Sequence, residues 1–127
     1  MTELLAAALA ARRHAHAPYS HFAVGAALED STGRVHTGCN VENATYGLTV
    51  CAERVAVFKA ISEGVREFRR IAVAADTETL TPPCGACRQI LWEYCGDIEV
   101  TLVNPRGKCE TLRMKELFPR AFDASFL

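Results

Sequence analysis

Two short stretches decide how this chain is interpreted: CAER at residues 51–54 and PCGACRQ at residues 83–89. Together they supply three thiols, from Cys51, Cys84 and Cys87, and one carboxylate, from Glu53. Three thiolates can hold a zinc ion and leave its fourth position open to water, which is the arrangement of a catalytic site rather than a structural one. The spacing therefore predicts a zinc hydrolase in which Glu53 moves a proton to and from that water.

Length, charge and cysteine usage limit the functional classes. The 127 residues predict a single domain over residues 1–127 with a buried core. The net charge of −1 argues against a polynucleotide ligand, because such proteins usually carry a basic surplus. The N-terminus lacks the early positive charge of a signal peptide, and no apolar run approaches the length of a membrane span. We therefore expect no membrane partner and a cytoplasmic location, where six cysteines stay reduced.

Helical and strand patterns alternate on both sides of the two stretches. The sequence predicts four helices: 2 to about 16, about 50 to 63, about 84 to 95, and 114–118. It predicts five strands: 22–28, 34–41, 71–75, 98–103 and 109–112. Thr2 is the expected N-cap of the first helix, and Leu4, Leu5 and Leu9 are its expected apolar stripe. This order predicts an α/β fold, a mixed sheet with helices packed on it.

Both cysteine stretches fall at predicted helix starts. Free N–H groups and the helix dipole at such a position lower the pKa of a thiol and favour the thiolate that binds zinc. Arg54 and Arg88, each next to a ligand, are expected to withdraw charge from the sulfurs by hydrogen bonding. One alternative is a closed structural zinc site that recruits Cys39, Cys95 or Cys109, which we otherwise expect to be buried thiols. For Glu53 the alternative is an ordinary surface glutamate.

The order Cys51-x-Glu53 followed by Pro83-Cys84-x-x-Cys87 matches the H-x-E…P-C-x-x-C signature of zinc deaminases, in which cysteine can replace histidine. Two further stretches are more selective: APYSHFAVGAA at residues 17–27 and NVENATY at residues 40–46. With them the chain resembles the small, homotetrameric zinc cytidine deaminases over nearly its full length. It departs from that pattern at Thr45, where serine is common, and at Ala23, where proline is common.

The resemblance implies a three-layer αβα sandwich around a mixed five-stranded sheet, with one Zn²⁺ in each subunit of a homotetramer. It implies hydrolysis of cytidine and 2′-deoxycytidine to uridine and 2′-deoxyuridine with release of ammonia, a step of pyrimidine salvage. Glu53 would be the catalytic residue. Gln89, next to Arg88 in the second cysteine stretch, would join the two arginines in supporting the ligands.

The resemblance also implies a set of substrate-binding residues. Asn40 and Glu42 would bind the ribose 3′-hydroxyl, Phe22 would lie against the pyrimidine, and the Ala52 backbone N–H would bind the base. Tyr46 and Phe122 would complete the pocket of a neighbouring subunit. The alternatives are turn formation for Asn40, core packing for Phe22, and packing within one chain for Tyr46 and Phe122.

Three other functions compete with cytidine deamination. A blasticidin-S-type or other small-pyrimidine deaminase has similar metal motifs, although the NVEN stretch at residues 40–43 favours a nucleoside sugar. A polynucleotide cytidine deaminase is disfavoured by the neutral charge and by Cys51, where those enzymes usually carry histidine. A non-catalytic, zinc-stabilised binding module is the alternative from outside the enzymes.

Overall fold

Five strands form one mixed sheet in the computed structural model, which describes residues 2–127. In chain order the strands are β1 Val24–Asp30, β2 Val35–Cys39, β3 Phe68–Ala75, β4 Glu99–Val103 and β5 Cys109–Arg113. Across the sheet their order is β2-β1-β3-β4-β5. The β3–β4 pair is parallel and the other pairs are antiparallel, so the prediction of a mixed five-stranded sheet is confirmed.

Four helices cover the two faces of this sheet. They are α1 Glu3–Arg12, α2 Ala52–Ser62, α3 Gly85–Cys95 and α4 Met114–Leu117. On one face, Leu4 and Ala8 of α1 pack on Ala27, Ala72 and Ala74. The larger cluster on the other face joins apolar residues of α2, α3 and α4 to alternate residues of β1, β3 and β4. The three-layer αβα architecture is therefore confirmed.

The β1–β2 hairpin and the parallel β3–β4 pair place the two cysteine stretches. Residues 31–34 connect β1 to β2, and Gly33 has a φ of +92°, which suits glycine in a tight turn. The parallel strands need a crossover, and α3 supplies it. Because α2 precedes β3 and α3 follows it on the same face, their N-terminal ends lie together beyond the C-terminal end of the central strand β3.

Two expectations, the end of α1 and the burial of Cys109, were wrong. Helix α1 ends at Arg12 and not near residue 16, because the His16 N–H pairs with the Asn40 carbonyl oxygen at 2.9 Å. Leu4 is buried and Leu5 and Leu9 pack, partly buried, against the same cluster, so the predicted apolar stripe is confirmed; Ala8 and Ala11 complete the buried face. Cys109 is exposed, because it lies on the edge strand β5. Among residues 2–127 no helix is both long and apolar enough to cross a bilayer.

Candidate active site

The starts of α2 and α3 bring the three predicted ligands together. Cys51 is the N-cap of α2, Cys84 is the N-cap of α3, and Cys87 lies in the first turn of α3. Their sulfur atoms all lie within 4.8 Å of one another. Thiolates about 2.3 Å from one tetrahedral ion stand roughly 3.8 Å apart, so the three sulfurs fit a zinc ion with little adjustment.

The surroundings of the cluster favour a thiolate at Cys51, whereas the hydrogen bond to Cys51 and burial raise the pKa of Cys87. Neither α2 nor α3 has a side-chain capping bond at its start, so the first N–H groups of both helices remain free next to the cysteines. Arg54 donates from Nη2 to the Cys51 sulfur at 3.3 Å. Hydrogen bonds from Cys87 and then Arg54 lower the pKa of the Cys51 thiol to about 5. Arg54 Nε is the one buried side-chain nitrogen or oxygen without a partner among residues 2–127, and it lies on the residue that contacts the ligand.

No fourth ligand joins the cluster within the part of the chain that the structure describes. Cys39, Cys95 and Cys109 are free thiols outside it, and no histidine or carboxylate completes it. A closed structural site of four protein ligands is therefore contradicted. Three thiols on two helix starts leave one coordination position for a small molecule.

Glu53 lies in the first turn of α2, two residues after Cys51, and is 4% exposed. The alternative of a surface glutamate is therefore wrong. Burial raises the pKa of its carboxyl to about 7. A carboxyl group with a pKa near neutrality can both accept and return a proton, which is what a general acid–base needs.

A cavity of about 260 Å³ opens in front of Glu53, Cys51 and Cys84. Its lining also includes Phe22, Asn40, Glu42 and Ala52, the residues predicted to bind substrate. A second cavity of about 300 Å³ adjoins it, sharing Ser20, Glu42 and Thr49, and Tyr46 lines its outer part. Sequence reasoning did not single out Ser20, Thr49, Thr81 or Pro82, although Ser20 lies inside the stretch at residues 17–27.

Asn40 and Glu42 also shape the wall of this cavity. Asn40 accepts from the Val24 N–H at 2.9 Å and donates to the Phe22 carbonyl oxygen at 2.7 Å. Glu42 accepts from the backbone N–H groups of Tyr19 and Ser20 and from the Ser20 hydroxyl. The hydrogen bond from the Ser20 hydroxyl is the main reason that the pKa of Glu42 is lowered. Both side chains therefore fix the segment that carries Phe22.

The remaining predicted residues lie at or behind the rim. Arg88 donates to the carbonyl oxygens of Pro83 and Leu117, not to a sulfur, so it ties α3 to the C-terminal segment. Gln89 donates to the Phe122 carbonyl oxygen at 2.9 Å. The rings of Tyr46 and Phe122 point to solvent, with the residues 75% and 58% exposed. The structure thus does not bring Phe122 into the cavity of its own chain.

Comparison with known proteins agrees with this geometry. Residues 1–103 match the family model described as the cytidine and deoxycytidylate deaminase zinc-binding region. The chain is 50% identical over 121 residues to a cytidine deaminase of Sporosarcina psychrophila, covering 94% of this chain and 89% of that protein. It is 52% identical over 122 residues to that of Halalkalibacterium halodurans, covering 95% and 92%.

A solved structure matches over the same extent. The crystal structure of cytidine deaminase from Burkholderia pseudomallei superposes with a TM-score of 0.91 at 49% identity, covering 96% of this chain and 100% of that one. The family model, the relatives and the fold thus converge on one group of proteins. The chain belongs to the zinc-dependent cytidine deaminase family.

Proposed function

We propose that this protein hydrolyses cytidine and 2′-deoxycytidine to uridine and 2′-deoxyuridine, releasing ammonia. The observation that carries the proposal is one cavity lined by two cysteines of a three-thiol cluster and by a buried carboxylate. The relatives named cytidine deaminase, which this chain matches over almost its whole length, support the same reaction.

Cys51, Cys84 and Cys87 would hold one zinc ion in each subunit. When bound, zinc supplies Lewis-acid chemistry, because it lowers the pKa of water until hydroxide is available near neutral pH. Three thiolates leave a net negative charge on such a site and weaken this effect. Arg54 counters that charge through its hydrogen bond to the Cys51 sulfur. Arg88 and Gln89 support the site by fixing α3 to the C-terminal segment.

Glu53 carries the protons. Its carboxylate takes a proton from the attacking water and delivers it to N3 of the pyrimidine, next to the carbon that is attacked. It then carries the second proton to the leaving amine, so that water and cytidine become uridine and ammonia. The burial that raises its pKa to about 7 supports both directions of transfer at neutral pH.

The cavity walls would position the substrate. Phe22 offers an aromatic face to the pyrimidine, and the Ala52 backbone N–H at the open start of α2 donates to the base. Asn40 and Glu42 bind the ribose 3′-hydroxyl with the lone pairs and protons left over from their contacts with residues 19–24.

The cavity favours a nucleoside over a nucleotide. No lysine, arginine or histidine lines either adjoining hollow among residues 2–127, and Glu42 lines both. A 5′-phosphate would therefore meet a carboxylate and find no cation to pair with. We expect kcat/KM for cytidine to exceed that for cytidine 5′-monophosphate by at least about 10²-fold, because an unpaired phosphate is costly to desolvate.

A homotetramer would complete the site. Tyr46, which lines the second cavity, Phe122 and Phe126 are exposed aromatic residues, and Phe122 stacks on Phe126 with ring centroids 5.7 Å apart. Covering such rings by another copy stabilises an assembly and closes the pocket. Phe122→Ala should then raise KM for cytidine without loss of zinc, and analytical ultracentrifugation should show a species of four chains.

The cellular setting proposed is the cytoplasm, in pyrimidine salvage. Six free cysteines, three of them in the zinc cluster, must stay reduced, which supports a reducing compartment. A nucleoside substrate and a uridine product place the reaction between the supply of free cytidine and the reuse of uridine.

The test is the loss of cytidine absorbance in the ultraviolet, with ammonia measured in the same samples. Wild type should convert cytidine and deoxycytidine, lose activity when a chelator removes zinc, and regain it when zinc is restored. Cytidine 5′-monophosphate and blasticidin S are assayed in parallel. Turnover of blasticidin S alone would indicate the other small-molecule deaminase. Stoichiometric zinc without turnover of any substrate would indicate a binding module.

A further inference from the structure

Gly38 of β2 lies directly beneath the first turn of α2. A Cβ atom built at Gly38 would lie 2.5 Å from the Ala52 carbonyl oxygen and 2.6 Å from the Ala56 nitrogen. Both are backbone atoms, so no side-chain rotation can relieve the overlap. The φ of Gly38 is outside the left-handed region, so the glycine is needed here for space rather than for its backbone conformation.

Strand β2 cannot easily move away from the helix. It pairs with β1 over five residues, from Gly25↔Cys39 to Glu29↔Val35. Two residues before Gly38, the buried His36 bonds Asp30 at 2.9 Å. Two residues after it, Asn40 holds the Phe22 carbonyl oxygen and the Val24 N–H. The strand is thus anchored on both sides of Gly38, and these anchors lie on the same face of the sheet as α2.

The far end of α2 is also held. Glu63, which follows the helix, lies 3.5 Å from the Arg34 guanidinium and 3.7 Å from His36 Nδ1. The first turn, by contrast, has no side-chain cap. Even one added methyl group at position 38 would therefore displace the first turn, which follows Cys51 and carries Glu53.

From this packing we infer that Gly38 is a positioning residue: it sets the height of the α2 start, and thereby the place of Cys51 and Glu53 relative to Cys84 and Cys87. The inference rests on the proposed function, since it concerns the same site. Zinc ligands tolerate displacements of only about 0.2 Å. A reacting group misplaced by about 1 Å can cost about 10²-fold in rate.

Gly25 of β1 provides a matched control on the opposite face. A Cβ atom there would overlap the Ala8 carbonyl oxygen and lie 2.5 Å from the Arg12 nitrogen, so it would displace α1. Helix α1 carries none of the proposed ligands or acid–base residues. Gly25→Ala and Gly38→Ala therefore introduce the same methyl group against a helix backbone, but only Gly38→Ala acts on the metal site.

The experiment compares wild type, Gly38→Ala and Gly25→Ala as zinc-loaded, full-length proteins. In the first measurement, Co²⁺ replaces zinc, and the thiolate charge-transfer and d–d absorption bands are recorded. In the second, zinc affinity is measured by competition with a chelator. Gly38→Ala should alter the cobalt spectrum, weaken zinc binding about 10–100-fold and lower kcat about 10²-fold. Gly25→Ala should lower the urea midpoint but keep the wild-type spectrum and zinc affinity.

The metal readouts need no nucleoside, so they test Gly38 even if cytidine is not the substrate. An unchanged spectrum and kcat in Gly38→Ala, or equal metal losses in Gly25→Ala, would overturn the inference. If Gly38→Ala unfolds in buffer, all three proteins are compared in trimethylamine N-oxide, which favours the folded state. A Gly38→Ala protein that stays unfolded there, while Gly25→Ala folds, would assign Gly38 to the fold itself and refute a positioning role.

Discussion

Asp30 and Glu53 are the two carboxylates buried among residues 2–127, at 3% and 4% exposure, and their surroundings differ sharply. Asp30 accepts from the Thr32 hydroxyl at 2.6 Å, from the backbone N–H groups of Thr32 and Arg34, and from His36. These bonds, led by those of Thr32 and His36, hold its pKa well below the usual value. Glu53 receives no hydrogen bond from another side chain of the described residues, and burial raises its pKa to about 7.

The difference separates a carboxylate that stabilises the fold from the one that we propose transfers protons. Asp30 remains charged because donors surround it, so it has no tendency to exchange protons near neutral pH. Glu53 is buried at a cost to stability, since desolvation disfavours its charged form. Such a cost is expected where a group must take up and release protons.

The largest difference should appear in turnover. Glu53→Gln keeps the shape of the side chain but cannot carry a proton, so kcat for cytidine should fall about 10²–10⁴-fold. Asp30→Asn, the matched isosteric change, should leave kcat within a few-fold of wild type at a temperature where it is folded. Steady-state kinetics on both variants, with zinc content measured by atomic absorption, checks this. Glu53→Gln with near-normal kcat and full zinc would contradict the acid–base role.

The basic side chain near each carboxylate gives the second test. His36 bonds Asp30 directly, whereas Arg54 donates to the Cys51 sulfur rather than to Glu53. Arg54→Gln should therefore act through the metal site and lower zinc affinity or kcat about 10–100-fold at unchanged fold. Chelator competition and kinetics measure both. Arg106→Gln, which removes a surface arginine paired with Asp76, is the control. Unaltered zinc binding and kinetics in Arg54→Gln would end its supporting role.

The third test is the pH dependence of stability at Asp30. Its pKa is lower in the folded than in the unfolded chain, so the folded state binds fewer protons in acid. The stability that Asp30 contributes is complete above its ordinary pKa of about 4 and is lost as the pH falls below it. Urea midpoints of wild type should exceed those of Asp30→Asn at pH 7, and the gap should narrow below pH 4. A difference in urea midpoint that does not change with pH would contradict a lowered pKa at Asp30. The control is Glu93→Gln, which changes an exposed carboxylate.

The sequence predicts the residues of the metal site but not the hydrogen-bonding partners of Asp30. The motif spacing predicted Cys51, Glu53, Cys84 and Cys87, because a metal site needs particular atoms at a few fixed positions. The structure then brought the three sulfurs within 4.8 Å of one another. Asp30 falls between the two predicted strands at 22–28 and 34–41, and nothing in the sequence pairs it with His36. That pair depends on the hairpin register, in which Leu28 lies opposite His36, and local composition does not encode it.

The other features that the sequence does not predict are a helix end, the exposure of one side chain and one close backbone contact. Ala and Leu favour a helix that continues until Pro18 approaches, but α1 ends at Arg12, because the His16 N–H donates to the Asn40 carbonyl oxygen. Cys109 was expected to be buried, yet an edge strand leaves it exposed. Gly38 was read as part of an ordinary strand. Its close approach to Ala52 is visible only once the helix lies on the sheet.

The smallest expected effect is a gain in stability from removing the Glu53 charge. In protein stripped of zinc by a chelator, the folded state binds more protons at Glu53 than the unfolded state, because its pKa rises from 4.5 to about 7. Stability is therefore lost as the pH rises through this window, and the cost is complete above it. Glu53→Gln should be more stable than wild type by about 1–2 kcal/mol at pH 8, less than the full linkage value because a buried amide is also desolvated. The stability advantage of Glu53→Gln over wild type should be lost towards pH 4 in urea titrations. A wild type as stable as Glu53→Gln at pH 8 would mean that donors satisfy Glu53 as they satisfy Asp30, and the contrast between the two carboxylates would fail.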